Sequence, residues 1–219
     1  MGIRQADTGR CLRSDARENR DRILTAAAQA FADDGLSVSL IEIARRAGVG
    51  NATLHRNFTK EQLVEELFLD WYTRQQAAAE RALADPDPWR GLESFLQDVL
   101  ADGTSNRAIG ALVAIRPDWT ERFRAMMTAL LTRAQDAGAA RPDLTAADLT
   151  FVLLGVARTM AITAQNSPGQ WRRHLAIVLD GMRAEHSGRL PGRPPTADQL
   201  DCDLRQWSYE VLRHGSRPA

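Results

Sequence analysis

Lysine is all but missing from this chain. Lys60 is the only one, and arginine supplies the other 27 of the 28 basic residues. The skew reads as a mark of genome composition, not of mechanism. Cysteine is scarce too: Cys11 and Cys202 lie far apart and form no spaced pair, which argues against a disulfide framework or a zinc ribbon. Formal net charge is zero, so no global basicity announces a nucleic-acid partner. The first 22 residues hold six arginines and no apolar core, unlike a signal peptide. The longest apolar stretch, Leu149 to Ala164, is short for a membrane span and carries Arg158. A cytoplasmic protein with no membrane partner is the expectation.

Catalytic furniture is missing as well. His55, His174, His186 and His214 are scattered without metal-ligand spacing. No glycine loop suits a phosphate. Asp33–Asp34 and Asp85/Asp87 are close in sequence but read as helix-end and turn residues. With no nucleophile, base or metal cluster, the chain does not read as an enzyme, and no catalytic residue, metal or cofactor is expected.

What is present is helical spacing. Strand-like alternation persists nowhere, so the expected fold is all-α. Residues 1–16 read as a mobile, Arg-rich but mixed-charge arm (Arg4, Arg10, Arg13, with Arg17 and Arg20 just beyond). A helix from about Arg17 to Asp34 follows, with Ile23, Ala27, Ala30 and Phe31 on one face and Gly35 as its stop. Ser39 starts the next helix, and Glu42 three residues on completes a capping box. Leu40, Ile43, Ala44 and Ala47 form its inward stripe. Gly48 sits in the turn, where a positive φ is cheap for glycine alone. A short helix from about Asn51 to Asn57 anchors through Leu54. A long one starts at Thr59, boxed by Gln62, and carries Val64, Leu67, Phe68 and Trp71 inward.

DPDP at 85–88 interrupts the pattern, because proline cannot continue a helix. It reads as a joint. Helices are expected at about 89–102, 105–115, 119–137, 146–166, 169–185 and 197–213. Starts are marked by Asp118 with Glu121, Thr145 with Asp148, Ser167 with Pro168 and Gln170, and Thr196. The division is an arm (1–16), a head with its connecting helix (17–84) and a larger helical body (85–219).

The stretch IARRAGVGNATLHRNF, Ile43 to Phe58, carries the function. Two short helices joined by a glycine turn can lay the second helix in the major groove of duplex DNA. Ala44 and Ala47 allow a close crossing, and Leu54 plugs the second helix. Asn51, Thr53, His55, Arg56 and Asn57 are left to face outward. Arg and Asn pair bidentately with guanine and adenine edges; Thr and His more often hold phosphates. Lys60 stands beside the start of the next helix, a natural phosphate seat, and Ser39 joins the set. Residues 1–60 carry ten basic and seven acidic side chains, a mild bias that suits one DNA-facing end.

The span from about Arg17 to Leu67 resembles the amino-terminal domain of TetR-type transcriptional regulators. The resemblance rests on Ile43–Ala44, Ala47–Gly48–Val49, Thr53–Leu54, Phe58 and Lys60–Glu61, in order. It implies that Thr53, His55 and Lys60 contact phosphates, and that Asn51, Ala52 and Arg56 lie near base edges. Histidine stands at 55 where such regulators usually have tyrosine, and the stretch before Lys60 looks one residue short. A helical ligand-binding or interaction protein with a degenerate head is therefore the second reading.

The resemblance also implies a homodimer on a double-stranded, palindromic operator, acting as a repressor released by a small apolar or amphipathic effector. The helix at 146–166 is apolar on nearly every side, which predicts burial from several directions. Together with 169–185 it would form the dimer seam, through Leu153, Val156, Met160, Trp171, Leu175, Val178, Leu179 and Met182, the alternative being simple intrachain core. An effector cavity would be lined by Trp89, Phe95, Trp119, Phe123, Met126, Met127 and Phe151, although residues at such spacing also serve as plain core. Arg158 must find a partner or stay wet; it would pair at the seam, reach solvent, or anchor an acidic ligand.

Overall fold

A computed structural model of the chain describes residues 5–103, 117–185 and 188–214. Among these the fold is all-α. In chain order the helices are α1 (Gln5–Asp34), α2 (Leu40–Ala47), α3 (Asn51–Asn57), α4 (Lys60–Ala84), α5 (Pro88–Gly103), α6 (Pro117–Asp136), α7 (Ala146–Thr163), α8 (Gln170–Gly181) and α9 (Ala197–His214), with a 3-10 turn at Gly35–Ser37. The helix expected at 105–115 lies outside the described residues. α1 starts twelve residues before the expected Arg17. Residues 5–16 contain no proline to stop a helix, and they lack the apolar stripe that would have advertised one.

α1, α2, α3 and the start of α4 share one core: Ile23, Ala27, Ala30, Phe31, Val38, Ile43, Leu54, Phe58 and Leu63 are all buried in it. α4 then runs on and turns back through the DPDP joint into α5. Asp87 makes this joint firm. Its Oδ1 accepts from the backbone N–H groups of Trp89 (2.9 Å) and Arg90 (3.2 Å), capping α5 with Pro88 at its first position. Arg90 pairs with Asp85 at 2.8 Å, and Arg133 from α6 donates to the Asp85 carbonyl. Gly91 allows the hairpin to close, because a Cβ there would overlap the Ala82 carbonyl.

A second core gathers α4, α5, α6, α7 and α8 around Leu92, Phe95, Leu96, Met127, Leu130, Leu149, Val156 and Leu175. Thr145 and Asp148 form the expected reciprocal cap of α7. α8 departs from expectation at its start: Gly169, not Ser167, flanks its first turn, and no side chain caps it. Arg141, bidentate to Asp143 at 2.7 and 3.0 Å, also reaches the carbonyls of Gly181 and Gly188, tying the α6–α7 loop to the end of α8. α9 lies across α7 through Leu200 and Leu204, against Ala147 and Leu154, and Asp201 pairs with Arg124 of α6.

A smaller aromatic cluster joins the two cores. Phe68 and Trp71 of α4 meet Trp119 of α6, and Leu36, Leu67, Tyr72 and Phe123 pack around them. The Phe68 and Trp119 rings stack with centroids 3.3 Å apart and planes 2° from parallel.

Candidate nucleic-acid interface

The interface is organised by the turn between α2 and α3. Small residues at 44 and 47 let α2 approach α1 closely, and both are buried. Gly48 takes the left-handed conformation (φ 64°, ψ 35°) and its N–H returns to the carbonyls of Ala44 and Arg45. Arg22, one helix away, completes the turn. Its Nη2 donates to the carbonyls of Ala47 (2.7 Å) and Gly48 (2.8 Å), placing a cation at the negative end of the α2 dipole.

Charges behind the turn are mutually satisfied. Arg46 bonds Glu42 and Asp33 at 2.9 Å each, and also Asp34. Arg45 grips Glu42 with two bonds of 2.7 Å. These guanidinium bonds, Arg45 first and Arg46 second, hold the Glu42 carboxyl down at about 2. The expected capping box at α2 is therefore only half made. Ser39 accepts from the Glu42 N–H at 3.2 Å, while the Glu42 carboxylate turns to the two arginines. An ionised pair outcompetes a neutral N–H.

α3 presents the expected face. Leu54 is fully buried and pins the helix; Asn51, Ala52, His55, Arg56 and Asn57 are exposed, and Thr53 is half-buried. Arg56 folds its Nε back to the Ala52 carbonyl at 3.2 Å, and Asn57 donates to the Thr53 carbonyl at 2.6 Å. Both side chains bond a carbonyl one turn back on their own helix. Exposed Ser39 and half-buried Lys60 flank this face.

Only Phe58 and Thr59 separate α3 from α4. Phe58 is buried, and Thr59 caps α4 reciprocally with Gln62 (2.7 and 3.2 Å), as its spacing predicts. The short connection is thus rigid. Arg20 adds to this from α1: its guanidinium lies 4.8 Å over the Phe58 ring and pairs with Glu66 at 2.6 Å. The sequence associates Arg20 with the Arg-rich arm and assigns Arg22 no role. Their position, one turn or less before Ile23, was the available signal, since residues flanking a buried position can reach the elements packed there.

The body separates the residues expected at a cavity and a seam by burial. Trp89, Phe95 and Met127 are buried in its core, with Met126 and Phe123 packed against it, while Trp119 lies in the aromatic cluster with Phe68. Phe151 and Arg158 do not join them. Phe151 is 44% exposed and Arg158 is exposed, on the face of α7 opposite Leu149, Leu153 and Val156. Seven residues apart, they share one helical stripe, so neither lines a cavity with Phe95. Among the seam candidates, Leu153, Val156, Trp171, Leu175, Leu179 and Met182 pack within the chain's own core, while Met160 and Val178 stay half-buried at its edge. α7 is not buried all round: Ile162 is 69% exposed, as is Ile177 of α8 at 62%.

Comparison with known proteins gives this geometry a family context. Residues 23–67 match the model for bacterial regulatory proteins of the tetR family, and residues 87–184 match that for the C-terminal domain of SbtR-like transcriptional regulators. A TetR transcriptional regulator of Streptomyces coelicolor, SCO0520, is similar in structure (TM-score 0.56, 34% identity) over 75% of this chain and 98% of its own. The TetR transcription regulatory protein of Mycobacterium vanbaalenii is similar too (TM-score 0.54, 31% identity, 78% and 99%). The HTH-type transcriptional repressor KstR2 of Mycolicibacterium smegmatis is 38% identical over 85 residues, which is 36% of this chain and 42% of that repressor. That match therefore spans less than half of the curated relative.

Proposed function

Because the chain belongs to the TetR family of transcriptional regulators, we propose that it is a homodimeric repressor that binds a palindromic operator and leaves it when a small molecule fills the body. A DNA-binding regulator is what the family supplies. Repression is supported by the name of the related KstR2 repressor. It acts by binding, in the cytoplasm, and not by catalysis. Head and connecting helix (17–84) read the operator; the remainder of the chain binds effector and pairs the protomers.

The observation that carries the proposal is the exposed polar face of α3 on a rigid mount. Arg22 and Gly48 fix it at one end and Phe58, Thr59 and Arg20 at the other. Arg56 and Asn51 would address base edges, Ala52 would lie close beside them, and Thr53, His55, Asn57, Ser39 and Lys60 would hold phosphates. Dimerisation would use the outer faces of α7 and α8, where Phe151, Ile162 and Ile177 leave apolar surface in water. Arg158 would lie in that seam. A two-fold axis there would present two α3 helices to successive grooves.

Effector control follows from the path of α4. It begins at the α3 joint and carries Phe68 and Trp71 against Trp119 and Phe123 of the body. A ligand with higher affinity for one position of α4 would shift the population of head spacings; equal affinity for both would shift nothing. The test is operator affinity of Arg56→Ala and Lys60→Ala as a function of salt. Arg56→Ala should relax sequence preference. Lys60→Ala should weaken specific and random duplex alike and flatten the log–log salt slope by about one unit. Wild-type affinity in both variants would overturn the assignment. Equal affinity of the wild type for specific and random duplex would favour a head that no longer reads sequence.

A further inference from the structure

α4 holds two buried polar atoms with no partner. Trp71 is 6% exposed and its Nε1–H meets no acceptor; Gln75, one turn on, is 1% exposed and its Oε1 meets no donor. Native structures satisfy nearly all such groups, so an unpartnered donor and acceptor one turn apart on one helix face ask for an explanation. The amide orientation of Gln75 is set from outside. Its Nε2 donates to Asp102 Oδ2 at 2.7 Å, and Asp102 is held in turn by Arg74 at 3.0 and 3.2 Å. Turning the amide over would set its oxygen against a carboxylate. The acceptor therefore stays on the side away from Asp102, and positions four apart fall on one face of the helix, which makes Trp71 its neighbour along α4. Aromatic surface lies beside them: the Phe123 ring is 5.5 Å from Trp71 and 6.2 Å from Phe95.

We infer that Trp71 Nε1 and Gln75 Oε1 are the polar end of the effector site, and that they select an apolar ligand bearing an uncharged hydroxyl. This rests on reading the body as an effector-binding domain. The required group must accept from the indole and donate to the amide. A hydroxyl does both with one oxygen. A ketone accepts but cannot donate. A carboxylate has no proton for Gln75 and would bring a second negative charge toward Asp102. The site places the ligand's polar group on the helix that carries the reading head, so occupancy bears on α4 directly.

The probes are cyclohexanol, cyclohexanone and cyclohexanecarboxylate, which share one ring and differ in the group under test. Full-length protein labelled with nitrogen-15 contains five tryptophans, and Trp71→Phe identifies the indole signal of Trp71. Cyclohexanol should shift that signal saturably and bind about tenfold more tightly than the ketone or the carboxylate. Gln75→Met keeps the length but loses the acceptor; it should cancel the alcohol's advantage and leave ketone binding as it was. Hydrogen exchange of the assigned Trp71 indole in the wild type should slow with cyclohexanol, and less with the ketone at equal concentration, since the ketone accepts the same N–H but binds more weakly. No Trp71 response, or equal affinity for all three probes, overturns the inference. The indole is read without DNA. A protein that binds no operator yet prefers the alcohol defeats only the regulatory reading; operator release by a ligand that leaves Trp71 undisturbed defeats only this one.

Discussion

The Nη2 nitrogen of Arg22 lies 2.8 Å from the carbonyl oxygen of Gly48 and fills the space a side chain at position 48 would need, since a Cβ there would come within 2.9 Å of it. Two demands thus meet on one glycine: a positive φ and room for a cation. Gly48→Ala should cost about 1–2 kcal/mol from the backbone alone. Displacing Arg22 adds the loss of hydrogen bonds to a charged donor, about 1.5–3 kcal/mol when such a bond is well shielded and less in this partly exposed setting. Arg22→Ala alone loses the bonds. The double variant should be less destabilised than the two single losses summed, because the clash vanishes with the arginine. Urea denaturation of all four proteins tests the cycle; strict additivity would show that the two residues do not interact.

What could be read from the sequence was whatever is decided within one or two helical turns. The Thr59–Gln62 and Thr145–Asp148 boxes need only a spacing of three, and both are present. The Gly48 turn and the Leu54 plug are equally local. Ser39–Glu42 shows the limit: the spacing is right, but Arg45 and Arg46 stand on the same turn and take the carboxylate. α7 shows another. With nearly every position apolar, its sequence has no polar side to mark the outward face, and only packing against α5 and α8 decides that Leu153 goes in and Phe151 stays out. Arg22, Gln75 and Asp102 act across 26 or 27 residues, a range at which no periodicity speaks.

The charge cluster behind the turn should make the head acid-labile. Glu42 is lowered from its ordinary 4.5 to about 2 in the folded chain, first by the Arg45 bond and then by Arg46. Its contribution is therefore complete above about pH 4.5 and disappears as pH falls through about 2. Asp143, lowered from 3.8 to about 2 chiefly by Arg141, adds a similar loss in the body. The melting temperature of the wild type should fall between pH 5 and 2, and Glu42→Gln should shallow that slope while lowering stability at pH 7. An unchanged slope in Glu42→Gln would show that the arginines gain nothing from the charge.

Opposite faces of α7 and α8 should answer mutation differently. Ile162→Arg or Ile177→Glu places charge on exposed apolar surface and should leave the melting temperature of the protomer near that of the wild type. Either should shift the protein from dimer to monomer in sedimentation velocity. Leu175→Ala, by contrast, empties a position buried in the core and should cost about 2–5 kcal/mol. A wild-type protein that sediments as a monomer, or Ile variants that remain dimeric, would place the seam elsewhere.

The last prediction concerns the aromatic contact between head and body. Trp119 stacks on Phe68 of α4, and Leu36 of the 3-10 turn packs against the same cluster, so the first turn of α6 bears on the lever within the cluster that joins it to the reading head. Trp119→Ala removes a large buried side chain and should cost about 3–5 kcal/mol in stability. Its second effect separates lever from filler. If the stack sets the angle of α4, operator affinity should fall about tenfold although residue 119 is not among those that would face DNA. Trp119→Phe, which preserves an aromatic face, should recover most of it. Leu130→Ala is the control, because Leu130 is equally buried in the body core and is no part of the aromatic cluster. At temperatures where every variant is folded, Leu130→Ala should bind operator like the wild type. Equal losses in Trp119→Ala and Leu130→Ala would mean that DNA binding merely follows stability, and that α4 takes its angle from the head alone.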